Sequence, residues 1–182
     1  MKKKVLLIAP ILTQTGYGEH ARFMYRALKS REDLFEVYVQ AISWGNTGWI
    51  WEDNEERRMI DDDVGKTAAY INQGGTFDTS LMVTIPNEWP EYRQRTGAAQ
   101  NIGVTAGVET SKISHQWVQS TNAVDKILIT SEFSKNIFEQ ALYRYNHPHT
   151  GQEMVDKVSV PMEVVNYPIK EYEKVDMGLE LS

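Results

Sequence analysis

Apolar runs and amphipathic segments alternate along most of this chain. Residues 5–10 form a continuous apolar run, which is typical of a parallel strand covered on both faces. The segment 19–30 that follows has apolar residues at positions i, i+3, i+4 and i+7, namely Ala21, Met24, Tyr25 and Leu28. That spacing predicts an amphipathic helix. The chain is therefore predicted to begin with a buried strand, a glycine-bearing turn and a helix.

The same alternation continues to residue 166. Further strands are predicted at 36–42, 81–86, 101–108, 126–130 and 162–166, and further helices at 61–72, 115–123 and 131–145. The side chains expected to face inward in the first and last of these helices are Val64, Ala68, Ile71, Phe133, Ile137 and Ala141. Residues 43–60 show no clear period. Alternating strands and helices predict an α/β fold, a Rossmann-like doubly wound parallel sheet with helices on both faces.

The predicted strand ends bring polar and acidic residues together. Right-handed crossovers place the carboxyl ends of parallel strands at one edge of the sheet, where α/β proteins bind ligands. The segments expected at that edge are residues 13–18, Asn87-Glu88-Trp89, Glu109-Thr110-Ser111 and Thr130-Ser131-Glu132. Each segment alone is explained by the general polarity of loops. The four together favour a shared crevice.

The turn Gly16-Tyr17-Gly18 has a candidate chemistry of its own. Glycines let the backbone approach a ligand without a Cβ in the way, and the helix N-terminus that follows presents N–H groups suited to a phosphate. The spacing differs from the dinucleotide-binding fingerprint, because Ala21 stands where the third glycine would be. A simple NAD-binding domain is therefore disfavoured. His20 follows the turn closely enough to face the crevice, although an ordinary surface position is an equal alternative.

Composition narrows the classes of function. The chain has 182 residues, a net charge of −6 and no long basic stretch, so nucleic acid is a poor partner. It contains no cysteine, which excludes disulfides and thiolate chemistry. No segment reaches the roughly 18 apolar residues of a membrane span, so no transmembrane segment is predicted. A cytoplasmic location is expected by default.

Two further patterns have competing explanations. Trp44, Trp49 and Trp51 would form an aromatic platform for a sugar or would pack into the interior, and packing is slightly favoured. His147-Pro148-His149 lacks neighbouring ligands at metal-binding spacing, so it is interpreted as a solvated loop. No metal site is predicted.

Three motifs follow one another in a characteristic order. They are Gly16-Tyr17-Gly18 opening a helix, residues 107–113 (GVETSKI) with Trp117, and residues 124–134 (VDKILITSEFS). Together they resemble glycosyltransferase family 4, and more narrowly the N-terminal Rossmann-like half of a GT-B enzyme. Residues 164–169 are similar to the segment that leads into the interdomain linker of that family. The resemblance covers nearly the whole chain, from about residue 4 to about residue 169.

The resemblance implies a role in sugar transfer. A nucleotide-diphosphate sugar would be the donor and a carbohydrate or lipid-linked molecule the acceptor, with no metal or cofactor required. The loop 16–18 would approach the donor's phosphate or sugar. Glu109 and Thr110 would line the reaction centre, and Glu109 stands where many members carry a histidine beside the reacting sugar. Glu88 and Trp89 would line the acceptor side.

The same resemblance sets the expected organisation. Residues 1–170 would be one acceptor-side domain, and residues 171–182 a linker-like tail. The family's C-terminal half, which carries most donor contacts, is expected to be absent, so the chain alone is expected to be inactive. The expected partner is a separate donor domain or a second copy, docking on an exposed face that includes Tyr17 and Trp89. The alternative is a non-catalytic carbohydrate- or nucleotide-binding module, or a subunit acting beside a separate partner.

Overall fold

The continuous apolar runs of the sequence form the inner strands of one sheet. The computed structural model describes residues 1–168. Its six-stranded sheet is built from β1 (Lys3–Ala9), β2 (Phe35–Ala41), β3 (Thr79–Val83), β4 (Gln100–Thr105), β5 (Lys126–Ile129) and β8 (Met162–Val164). All pairs are parallel, in the order β2-β1-β3-β4-β5-β8. The helices are α1 (Gly16–Lys29), α2 (Glu55–Asn72), α3 (Trp89–Thr96), α4 (His115–Thr121) and α5 (Glu132–Gln140). The predicted doubly wound α/β fold is confirmed.

Two hydrophobic clusters cover the two faces of this sheet. Leu6 and Ile8 of β1 pack on one face with the cluster that contains Phe138 of α5. Val5 and Leu7 point to the other face, into the cluster that contains Tyr25 of α1. Because successive strand residues point to opposite faces, a strand covered on both sides is apolar at every position. This explains the unbroken apolar run in the sequence.

The order of the strands creates a switch point beside β1. The chain passes from β1 outward to β2 and then returns to place β3 on the other side of β1. The segments that leave the carboxyl ends of β1 and β3 therefore turn away from each other. In doubly wound sheets this divergence opens a crevice in which ligands bind.

Helix α2 begins earlier than predicted and buries a different face. It starts at Glu55, where the Asn54 side chain accepts a hydrogen bond from the Arg57 backbone N–H at 2.9 Å. Its buried residues are Ile60, Asp63 and Thr67. Val64 is half-buried and packs against the core as predicted, whereas Ala68 and Ile71 are exposed. Polar contacts decide this orientation, since the Tyr25 hydroxyl donates to Asp63 at 2.8 Å. The hydroxyl of Thr67 accepts from the Val39 N–H at 2.7 Å.

Helix α5 ends earlier than predicted, at Gln140. The predicted continuation to Tyr145 is wrong, because the chain forms an antiparallel hairpin of β6 (Leu142–Asn146) and β7 (Glu153–Lys157). Exposed and half-buried residues alternate along both strands, which is the period of a sheet with one covered face. The covered face rests on α4, where His115 lies 2.6 Å from Asp156 and stacks on Tyr143. These contacts lie far apart in sequence, and a local period does not reveal them.

The remaining expectations about organisation concern the end of the chain. The predicted tail, residues 171–182, lies outside the described residues. Within residues 1–168, the structure contains no helix that combines the length and the apolar character needed to cross a membrane.

Candidate functional site

The segments after β1, β3, β4 and β5 lie at the same edge of the six-stranded sheet, as predicted, because the strands of that sheet are all parallel. Tyr17, in the first turn of α1, reaches across this edge and its hydroxyl lies 2.8 Å from that of Thr105 at the end of β4. Thr130, after β5, donates from its hydroxyl to the carbonyl of Ala106 at 2.9 Å. These two hydrogen bonds connect the first turn of α1 to the end of β4, and the segment after β4 to the segment after β5.

An open cavity of about 490 Å³ lies at the β4–β5 side of this edge. Its walls are residues 106–109 after β4, the residues Thr130, Ser131, Phe133 and Ser134 at the start of α5, and Tyr167. Among the described residues, Glu109 is the only charged side chain in this lining. Hydroxyls, one carboxylate and two aromatic rings therefore face the same space.

Local geometry fixes the walls of the cavity. Gly107 has a φ of +82°, and a Cβ there would lie 2.6 Å from the Ser134 side-chain oxygen, so only glycine fits this close approach. Ser131 is the N-cap of α5, as predicted, and its hydroxyl accepts from the Ser134 N–H at 3.1 Å. The turn after β4 is thereby packed directly against the start of α5.

Tyr167 closes the cavity toward α1. Its hydroxyl lies 3.4 Å from Nδ1 of His20, and the two rings meet edge to face with centroids 4.9 Å apart. His20 is only 1% exposed, so the alternative of an ordinary surface histidine is wrong, and its ring lies directly behind Tyr167 in the cavity wall. Burial lowers the pKa of His20 to about 4, which keeps its imidazole uncharged at neutral pH.

Trp89 and Glu88, the two residues predicted to line the acceptor side, differ in how far they are buried. Trp89 is completely buried and its ring lies against Gly103 of β4, so the prediction that it lines the cleft is wrong. Glu88 is half-buried, and its Oε2 is buried without a hydrogen-bond partner among residues 1–168. Burial raises the pKa of this carboxyl, and the charge of Glu91 adds to the shift.

The glycines of the first turn are not a flexible loop. Residues 16–18 are already helical, because Thr15 is the N-cap and its hydroxyl accepts from the Gly18 N–H at 3.0 Å. Gly18 is buried, and a Cβ there would lie 2.2 Å from the Thr13 carbonyl oxygen. The prediction that Gly18 approaches a ligand is therefore wrong, since it is needed for packing against the preceding loop. Gly16 is exposed with open space around it, which is compatible with a ligand nearby.

Alanine substitutions at Gly16 and Gly18 are expected to affect stability differently, because only Gly18 packs closely against the preceding loop. Gly18→Ala should lower the free energy of unfolding by roughly 1–3 kcal/mol, because the new methyl group overlaps a backbone oxygen that cannot move aside cheaply. Gly16→Ala should leave it unchanged or slightly raised, since the site is open and its φ is negative. Urea unfolding of both variants checks this. Equal losses in the two would contradict the packing role of Gly18.

Of the other predicted site residues, Glu109 belongs to the cavity lining, and Asn87, Thr110 and Glu132 do not. Asn87, Glu109, Thr110 and Glu132 are exposed, and the Thr110 hydroxyl donates to the Lys112 carbonyl. The tryptophan segment is also exposed rather than packed: Trp51 is 83% exposed, and only Trp44 is half-buried, 4.9 Å from the Tyr17 ring. The favoured packing interpretation is thus wrong for Trp49 and Trp51.

Two cavity residues were not singled out from the sequence as site residues. Phe133 was expected to face inward, yet it is 60% exposed at the cavity mouth, and Phe138 takes the buried position instead. Tyr167 follows the last strand of the sheet, and its position beside His20 joins residues 147 apart in the chain. The sequence pointed to Tyr167 only through its position in residues 164–169, the segment that is similar to the start of an interdomain linker.

Comparisons with known proteins add no relative to this picture. No family model, no curated protein and no solved structure matches this chain. Within the described part of the chain, no three His, Cys, Asp or Glu side chains cluster in a way that would hold a metal ion.

Proposed function

We propose that this chain is the acceptor-side, Rossmann-like half of a GT-B glycosyltransferase similar to family 4. In this proposal, the sugar acceptor binds at the edge of the sheet where the carboxyl ends of the strands lie. The observation that carries the proposal is the lining of the 490 Å³ cavity, in which a carboxylate, several hydroxyls and two aromatic rings converge. A carboxylate and hydroxyls match the hydrogen bonds that sugar hydroxyls make, and aromatic rings match the apolar face of a sugar ring. The three motifs and their order support the family assignment.

Glu109 has a specific place in this proposal. It lies in the exposed turn after β4 and contributes the carboxylate of the lining. A carboxylate there accepts a hydrogen bond from a sugar hydroxyl and orients it toward the donor. Thr110 lies next to it at the rim, where it would contact the same ligand.

Binding of the acceptor is tested with simple glycosides. Titration of the ¹⁵N-labelled chain with methyl α-glucoside, α-mannoside and α-galactoside should shift backbone amide signals of residues 106–109 and 130–134 for at least one sugar. UDP, GDP and ADP serve as the comparison series. If no glycoside shifts these signals, the acceptor-side proposal is wrong. Nucleotide binding at the same residues without any glycoside binding would instead favour a nucleotide-binding module.

Turnover of a nucleotide sugar should require more than the cavity residues. Departure of a nucleoside diphosphate needs positive charge or aimed N–H donors to stabilise it. In residues 1–168, the cavity lining offers no Lys or Arg, and His20 behind it is uncharged at neutral pH. The purified 182-residue chain is therefore expected to release no nucleotide from UDP- or GDP-sugars above the uncatalysed rate. Transfer at ordinary enzyme rates would contradict this assignment of the donor contacts.

A further inference from the structure

Two exposed aromatic rings border the cavity from opposite elements. Phe133 lies in the first turn of α5 and is 60% exposed, while Tyr167 follows β8 and is 42% exposed. Single exposed aromatic side chains are common on protein surfaces and need no explanation. Two in the lining of one concave, polar-rimmed space are the arrangement found at ligand sites.

We propose that Phe133 and Tyr167 hold the apolar face of an uncharged pyranoside, and that Glu109 and the Ser131–Ser134 turn face its hydroxyls. This inference rests on the proposed function and specifies the ligand: a neutral sugar ring without a phosphate. It also assigns binding to Phe133 and Tyr167, which the sequence did not single out as site residues. An apolar ring face covered by aromatic side chains contributes through buried area and favourable ring geometry.

The charges around the cavity disfavour a phosphate. Sites that bind phosphate usually present Arg or Lys, or free amides at a helix N-terminus. Within residues 1–168, the charged group in this lining is the Glu109 carboxylate, which repels an anion. The Ser134 N–H at the start of α5 is already bonded to the Ser131 hydroxyl. A neutral sugar avoids the repulsion and still uses Glu109 as an acceptor of hydroxyl hydrogens.

The position of Tyr167 is fixed before any ligand arrives. The Val165 N–H donates to the Ile129 carbonyl at 2.8 Å, and the Asn166 side-chain amide donates to the Thr130 carbonyl at 3.0 Å. The Tyr167 ring then rests against His20 and lies 6.0 Å from the Phe23 ring. A preorganised wall of this kind reduces the ordering that binding would otherwise require.

The test compares aromatic variants by saturation-transfer NMR and affinity titration with the methyl α-glucoside, α-mannoside and α-galactoside. Phe133→Ala should weaken binding of the best of these sugars roughly tenfold, as expected for the loss of one ring contact. Tyr167→Phe, which keeps the ring, should retain binding, whereas Tyr167→Ala should lose it. Trp51→Ala removes an exposed ring outside the cavity lining and should change nothing. Thermal unfolding of each variant confirms that it is folded.

The outcomes separate this inference from the proposed function. If a glycoside binds and Phe133→Ala binds it equally well, the aromatic subsite is wrong while the carbohydrate-binding function stands. Tighter binding of glucose 1-phosphate than of the methyl glucoside overturns the neutral-ligand assignment alone. If none of the three glycosides binds the unmodified chain, the proposed function and this inference both fail.

Discussion

Replacing Trp89 with alanine is expected to lower the free energy of unfolding by about 3–5 kcal/mol, the range for deleting a large buried aromatic side chain. Trp89 is completely buried among the largest side chains of the core, and its ring packs against the Cα of Gly103 in β4. Removing the ring leaves a cavity between α3 and the sheet that the surrounding structure fills only in part. The lost free energy of unfolding therefore has two parts: the transfer of the ring from water into the core, and the contacts missing around the cavity.

Trp51→Ala is the matched control for this prediction. The same substitution there removes a ring that is 83% exposed, and surface changes of this kind stay within about 0.5 kcal/mol. Urea unfolding followed by circular dichroism measures both variants. A stability of Trp89→Ala close to that of the unmodified chain would mean that Trp89 lies at the surface, as the sequence analysis expected.

The sheet was predictable from the sequence because its signal is local. Each inner strand is covered on both faces, so every residue of β1 from Val5 to Ala9 is apolar, and strand and helix alternate regularly. The handedness of crossover connections then determines which strand ends share an edge. Neither step requires knowledge of side-chain contacts between distant segments.

The errors arise where distant contacts outweigh the local pattern. In α2, the hydrogen bond from Tyr25 holds the charged residue Asp63 on the inner face of the helix. Ile71 therefore lies on the exposed face. In the hairpin, the contact between His115 and Asp156 stabilises strands where the sequence continued a helical pattern. A sequence period cannot distinguish a polar residue that faces water from one that has a buried partner.

The candidate site was predictable in its place but not in its members. The edge of the sheet follows from topology, and the Ser131 cap of α5 from its residue type. Trp89 and Gly18 were assigned to the cleft because they lie in the right segments, yet their side-chain positions point into the interior. Conversely, Phe133 lies two residues beyond the Ser131 cap, where a first-turn side chain can face either the core or the cavity. The buried face of α5 consists of Ser134, Ile137 and Phe138, and Phe133 lies outside this face.

Lowering the pH is expected to destabilise the chain through His20. Its folded-state pKa is about 4, below the ordinary value of 6.5. Between these two pH values His20 is protonated in the unfolded chain and neutral in the folded chain. Stability from this group is complete above about pH 6.5 and is lost as the pH falls toward 4. At 1.36 kcal/mol per pKa unit, the loss is on the order of 3 kcal/mol.

A variant without the imidazole isolates this contribution from the carboxylates that titrate in the same range. In His20→Gln, the free energy of unfolding should fall less between pH 7 and pH 4.5 than in the unmodified chain, whatever its value at pH 7. His149→Gln, in the exposed β6–β7 loop, keeps His20 and should keep the full decline. Urea unfolding at several pH values provides the comparison. Parallel pH curves for the unmodified chain and His20→Gln would show that His20 takes up its proton in the folded state, and that the Tyr167 wall of the cavity does not exclude water from it.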